Sequence, residues 1–215
     1  IALTTNGVLL AQQKEALFGA GLSRVTVSLD AVEPKLFKQI AQRDDLPRVL
    51  EGLNSVAHTR GLKMDSVIMN GINDSQLVPL LQLAAEVGAE VRFIEYMDVG
   101  GATKWSSDLV FSQEQMLEAL QSEFGKIETL PGRGSAPAQR FQLPGGQTFG
   151  IIASTTKPFC RSCDRARVTA DGQLLTCLYS RMGTDLREWL RSGLSDQELA
   201  EKLHSLWQLR TDRGA

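Results

Sequence analysis

Residues 62–97 read LKMDSVIMNGINDSQLVPLLQLAAEVGAEVRFIEYM, and this stretch decides the fold. Leu62–Met69 is a β-rich run that ends at the turn signal Asn70-Gly71. Asn73 or Asp74 stands where a helix cap is wanted, and the spacing predicts a helix from there through Val87. Val91–Met97 is β-rich again. A strand, a helix and a second strand make a βαβ unit, in which the two strands lie parallel.

The same alternation extends upstream. Ile1–Thr5 (IALTT) runs into the turn Asn6-Gly7, a helix over Leu9–Phe18 is stopped by Gly19 and Gly21, Arg24–Leu29 (RVTVSL) is a strand, and residues 33–42 and 46–60 read as helices. The class is therefore α/β with a parallel sheet, open or curled into a barrel. Such sheets hold ligands at the carboxyl ends of their strands. Thr4 to Asn6, Ser28 to Asp30, Asn70 and Glu95 to Asp98 fall there, although Asn, Asp and Gly also serve simply to end strands. Arg92 and Lys63 stand inside strands whose two faces are normally apolar, so each needs a partner or a ligand. Glu95 is the internal candidate for Arg92, and Asp65 for Lys63.

The character changes after residue 100. Ser112–Phe124 reads as a helix capped by Ser112 with Glu114 close behind. Short strands follow at Gln139–Leu143 and Thr148–Ala153, and then a cysteine segment. Helices are expected over 184–192 and 195–209, the second opened by Ser195 with Glu198 in a capping box. The shift predicts a domain boundary near residue 105, dividing the chain into 1–105 and 106–215.

With 215 residues, 42% of them hydrophobic, the chain can bury a real core. A net charge of −2 gives no global basic field, so nucleic acid is not an expected partner and any anion site must come from local Arg and Lys. No apolar run approaches the roughly 20 residues needed to span a bilayer, and no signal peptide is visible. The chain opens Ile1-Ala2-Leu3 without Met, so a fragment is expected, with further sequence upstream. Its unpaired edge at Ile1–Thr5 would invite dimerisation.

Three cysteines do not make a disulfide framework and point to a reducing compartment. Cys160, Cys163 and Cys177 are spaced Cys-x2-Cys-x13-Cys, and between the last two lies Asp171-Gly172, a strong hairpin signal between Arg165–Ala170 and Gln173–Leu178. The hairpin brings Cys177 back toward the other two. Three soft ligands favour zinc or an iron–sulfur cluster over calcium or magnesium. The economical solution is a [4Fe–4S] cluster with one open iron; a zinc site and a redox pair with a buried third thiol stay open on spacing alone. Arg165 and Arg167 project to one strand face beside Cys163 and suit a triphosphate, or are solvated strand arginines. A strict two-residue turn would pair Cys177 with Ala166, on the face opposite those arginines, unless a bulge intervenes or both faces share the cluster.

Taken together, LTTNG at 3–7, VSLD at 27–30, RFIEYMDVG at 92–100 and FCRSCDRARVTADGQLLTCLYS at 159–180 resemble the MoaA-type GTP 3′,8-cyclase family of molybdenum cofactor synthesis. The resemblance implies the C-terminal part of a partial (βα)6 radical-SAM barrel, followed by an α+β iron–sulfur domain. It implies a radical S-adenosylmethionine lyase that cyclises GTP in the cytoplasm, or in an organelle if eukaryotic, as a homodimer. Carried over by position, Cys160, Cys163 and Cys177 would hold an auxiliary [4Fe–4S] cluster. Thr4, Lys63, Arg92, Arg165, Ala166 and Arg167 would contact GTP, and Ser28 and Met97 would contact S-adenosylmethionine. The family's Cys-x3-Cys-x2-Cys, which holds a second [4Fe–4S] cluster and generates the radical, is not in this sequence, so the chain is not expected to turn over alone. Residues 132–141, GRGSAPAQRF, match the family only loosely, and its glycine-pair tail is absent from the terminal Arg213-Gly214-Ala215. A zinc-stabilised interaction module and a radical-SAM enzyme of another substrate are the competing readings.

Overall fold

The pattern of residues 62–97 folds as the periodicity dictates in a computed structural model, which describes residues 1–98, 105–132, 134–160 and 163–210. Arg161-Ser162, Val99-Gly100 of the RFIEYMDVG stretch, Arg133 and the terminal Arg213-Gly214-Ala215 lie outside the described residues. By its internal contacts the chain divides into two units, one of Ile1–Met97 and Trp105–Pro158, the other running from Phe159 and including Asp98.

In the first unit, β1 (Ala2–Thr5), β2 (Arg24–Ser28), β3 (Lys63–Ile68), β4 (Glu90–Glu95), β5 (Glu128–Thr129), β6 (Gln139–Gln142) and β7 (Thr148–Ile152) form one sheet in the order β1-β2-β3-β4-β7-β6-β5. Neighbours from β1 to β4 and on to β7 are parallel, and β6 and β5 continue antiparallel. The composition change near residue 105 therefore does not coincide with the division by contacts. It marks the passage from parallel strands to the antiparallel β5 and β6, which still complete the same sheet.

Among the described residues five α-helices belong to this unit: α1 (Leu10–Gly19), α2 (Pro34–Ala41), α3 (Leu46–Ser55), α4 (Leu77–Glu86) and α5 (Gln113–Phe124). They bury the strand face of Val25, Val27, Met64, Ile68, Val91, Phe93, Phe149 and Ile151 in one core. Phe149 stacks on Phe141 at 5.4 Å and meets Phe93 edge-on at 6.2 Å; each such buried ring contributes about 2–3 kcal/mol. Among the described residues no helix is long and apolar enough to cross a membrane.

Two local expectations are corrected and one is completed. The helix expected over 46–60 ends at Ser55, because His58 takes a left-handed φ of 59° and its N–H bonds to the Val87 carbonyl at 2.8 Å. Ser112 caps α5 as expected, with Glu114 in the first turn and Gln115, at the third helical position, reaching back to close a capping box. Asn73 does not cap α4. Fully buried, it donates to the carbonyls of Asp30 and Val67 at 2.8 Å and accepts from Met69 N–H, bracing the ends of β2 and β3, while a short 3-10 turn precedes α4.

Helices α1 and α3 approach closely at Gly52, where an added Cβ would lie 2.3 Å from the Gly7 carbonyl oxygen and 3.2 Å from Leu10 Cβ. Backbone cannot yield as a flexible side chain does. Gly52→Ala is expected to cost about 1–3 kcal/mol by overpacking, read as a lower midpoint in urea denaturation.

In the second unit, β8 (Arg167–Val168), β9 (Gln173–Leu175) and β10 (Thr184–Asp185) form an antiparallel sheet in the order β10-β9-β8, followed by α6 (Leu186–Arg191) and α7 (Asp196–Gln208). The expected capping box opens α7: Ser195 accepts from Glu198 N–H while Glu198 accepts from Ser195 N–H at 2.8 Å.

Candidate functional site

Strand register decides which polar side chains share a surface. Thr4, Thr26, Lys63 and Glu90 are successive cross-strand partners, and Ser28, Asp65, Arg92 and Gly150 are the next such row. Because side chains alternate along a strand, both rows stand on the face opposite the helix-covered core. The expected ligand residues Thr4, Ser28, Lys63 and Arg92, from four different strands, are thus brought to one side of the sheet. Thr4 and Ser28 are exposed, Lys63 and Arg92 half-buried.

Arg92 is not partnered by Glu95. The two are three positions apart and so point to opposite faces. Its neighbour is Asp65, directly across in the register, with Arg92 Nε 3.5 Å from Asp65 Oδ1. Both atoms are sealed from solvent and neither has a hydrogen-bond partner among the described residues. A ligand can therefore meet this guanidinium only at its outer nitrogens. Gly150 leaves the room this needs, since a Cβ there would stand 3.3 Å from Arg92 Cγ. Burial pushes the Asp65 carboxyl up, and the charges of Arg92 and Lys63 only partly oppose this.

Glu95 is instead a structural anchor. Completely buried, it accepts from Gln113 N–H at 2.8 Å and Thr156 Oγ1 at 2.6 Å on one oxygen, and from the N–H groups of Thr155 and Thr156 at 2.9 and 2.8 Å on the other. On the polar face, Glu90 is held by Arg140, whose Nε and Nη2 reach one carboxylate oxygen at 2.8 and 2.7 Å. Neither role is legible from spacing, because both partners lie far away in sequence.

At the carboxyl ends of β1 and β2 a cavity of about 230 Å³ is lined by Asn6, Ser28, Asp30, Phe37 and Arg43, among others. Ser28 thus stands where a strand-end ligand would be met, while Met97 is half-buried just past β4. Burial pushes the Asp30 carboxyl above its ordinary 3.8, against the hydrogen bond it accepts from Val67 N–H. The folded state then keeps this proton to higher pH than the unfolded chain does. Its contribution to stability is greatest below 3.8 and is lost as pH rises through the folded value. Asp30→Asn is accordingly expected to lose less stability than wild type between about pH 4 and pH 7, as read by urea denaturation across that range.

In the second unit the hairpin differs from a two-residue turn. Thr169 and Gln173 are joined by Ala170, Asp171 and Gly172, with Gly172 N–H bonded to the Thr169 carbonyl at 2.9 Å and Gly172 at φ 90°. This is a turn closed by a glycine bulge. Arg167 pairs Leu175 and Val168 pairs Leu174, the ladder ends there, and Cys177 lies in the bend that follows β9. The bulge shifts the register by one from that of a two-residue turn, so the pairing of Cys177 with Ala166 that such a turn would impose is not formed.

Cys160 and Cys163 are half-buried, Cys177 is buried, and all three are free thiols. Arg165 donates to Cys163 Sγ from Nη2 at 3.2 Å and Nε at 3.4 Å, and its guanidinium lies 4.7 Å from the centre of the Phe159 ring. Burial would push the Cys163 thiol up, but hydrogen bonds from Arg165 and Arg210, with the Arg165 charge, hold it below the ordinary thiol range. Tyr179 N–H donates to Cys177 Sγ at 3.5 Å, and its phenol is pushed up by burial and by Cys160, Asp98 and Cys177. Arg167 and Ala166 are exposed. Among the described residues no three Cys, His, Asp or Glu side chains are gathered closely enough to hold a metal ion. The donor chemistry nevertheless fits an iron–sulfur cluster: three free thiols, one of them shifted toward the thiolate form that such a cluster needs.

The family model described as Molybdenum Cofactor Synthesis C matches residues 89–215. The chain is 51% identical over 217 residues to GTP 3′,8-cyclase 1 of Mycobacterium tuberculosis (strain H37Rv), covering 100% of this chain and 60% of that protein. It is 43% identical over 229 residues to GTP 3′,8-cyclase of Synechococcus sp. (strain WH7803), covering 99% and 65%. A solved radical SAM methyltransferase from Sphaerobacter thermophilus is similar at a TM-score of 0.45 and 20% identity, over 56% of this chain and 36% of that one. The chain spans less than two thirds of the length of these curated relatives.

Proposed function

The chain belongs to the Molybdenum Cofactor Synthesis C family, and on that footing we propose that it supplies the GTP site and the auxiliary [4Fe–4S] cluster of a GTP 3′,8-cyclase. The reaction is the conversion of GTP to (8S)-3′,8-cyclo-7,8-dihydroguanosine 5′-triphosphate, by a 5′-deoxyadenosyl radical derived from S-adenosylmethionine. The radical-generating cluster is assigned to cysteines other than the three of this chain, the parallel strands to a partial radical-SAM barrel, and the working assembly to a homodimer.

The observation that carries this reading is the sharing of one sheet face by Thr4, Ser28, Lys63 and Arg92. Lys63 and Arg92 attract the triphosphate, Arg92 through its outer nitrogens because Nε is sealed against Asp65. Thr4 offers a hydroxyl to the same substrate, and Ser28 and Met97 contact S-adenosylmethionine. Cys160, Cys163 and Cys177 hold the auxiliary cluster, which when bound supplies an open iron for an atom of the GTP base. Arg165, Ala166 and Arg167 line the GTP site, Arg165 held in place by Cys163 and Phe159.

The test is GTP titration of the full-length protein. Arg92→Ala and Lys63→Ala are each expected to weaken GTP binding about 10- to 100-fold, the loss of one charge-assisted contact worth roughly 1.5–3 kcal/mol. GTP affinity unchanged in both variants would remove the substrate assignment.

A further inference from the structure

Arg210, two residues past the end of α7, reaches back across 47 positions to donate from Nη1 to the Cys163 carbonyl at 2.8 Å. Its guanidinium lies 4.8 Å from the centre of the Trp207 ring. Trp207 and Arg210 are three apart, the spacing that sets two side chains on the same side of a helix end. A planar guanidinium can stack on a ring and still donate in its own plane, which an ammonium cannot do. The contact also gives the Cys163 carbonyl a partner, as a half-buried backbone acceptor requires.

We propose that Arg210 is a positioning residue for the cluster: stacked on Trp207, it ties the end of the C-terminal helix to the backbone of Cys163 and so fixes the direction in which that sulfur is presented. This rests on the reading of Cys163 as a cluster ligand. Groups that orient a metal ligand without touching the metal govern how long the metal stays, and removing one typically costs 10- to 100-fold in affinity.

The experiment uses the full-length protein, reconstituted anaerobically with iron and sulfide, and follows the rate of iron loss to a ferrous chelator. Arg210→Ala is expected to lose iron about 10- to 100-fold faster than wild type, and Arg210→Lys to fall between them. Ser195→Ala removes the capping box at the other end of α7 without touching Cys163. It is expected to lower the thermal midpoint while leaving the rate of iron loss at the wild-type value. A wild-type rate in Arg210→Ala overturns the inference. So does a rate in Ser195→Ala as fast as in Arg210→Ala, because iron loss would then follow helix stability alone. A wild-type protein that takes up no more iron than its Cys163→Ala variant would instead bring down the cluster reading of Cys163, and this inference with it.

Discussion

Replacing Cys160, Cys163 or Cys177 with Ala is expected to strip the reconstituted protein of its auxiliary cluster, a loss of about four irons and four sulfides per chain relative to wild type. The size of the effect follows from the ligand count. A cluster held by three thiolates has no spare protein ligand, so the loss of any one leaves two irons without one. Cys163 is the most prepared of the three, with the Arg165 guanidinium 3.2 Å from its sulfur. Iron, sulfide and zinc analysis with the visible spectrum checks the prediction. One tightly bound zinc in wild type, with sulfide unchanged in the variants, would sink it and favour a zinc-stabilised module.

Glu95→Ala is expected to destabilise the first unit by on the order of 4 kcal/mol, because it strands buried donors at about 1–3 kcal/mol each. The orphaned groups are the N–H groups of Gln113, Thr155 and Thr156 and the Thr156 hydroxyl. Gln113 opens α5, so the carboxylate also opposes the positive end of that helix. Glu95→Gln keeps one acceptor oxygen and turns an amide donor toward N–H groups, so an intermediate loss is expected. Urea denaturation by circular dichroism reads both variants. Wild-type stability in Glu95→Ala would show that the carboxylate is not the anchor of these segments.

Much of the fold is legible because it is local. Strand and helix periods place β2, β3, β4, α1 and α4 to within a few residues. Ser195 and Glu198 stand at the spacing of a capping box, and Asp171-Gly172 announces a hairpin. Thr4, Ser28, Lys63 and Arg92 are legible as candidates because each is a polar residue where a βα sheet expects apolar ones or a strand end. What spacing does not carry is the partner. Glu95 is adjacent to Arg92 in the reading yet serves Thr155 and Thr156, while Asp65, offered for Lys63 and within reach of its charge, also faces Arg92.

The hairpin shows the division most sharply. Its existence is written in Asp171-Gly172, but one extra loop residue shifts the register so that Arg167 meets Leu175. The Gly172 carbonyl receives the N–H groups of Leu186 and Arg187 at the start of α6, a contact no local pattern contains. The sequence by itself determined the α/β class, the cysteine triplet and its soft-ligand chemistry, and the strand cations, since these depend on residue type and short spacing. Only the tertiary structure decided the register that gathers four strands' residues on one face, the burial of Glu95 among distant donors, and the return of Arg210 to Cys163. Those depend on free energies summed over contacts between segments far apart in the chain.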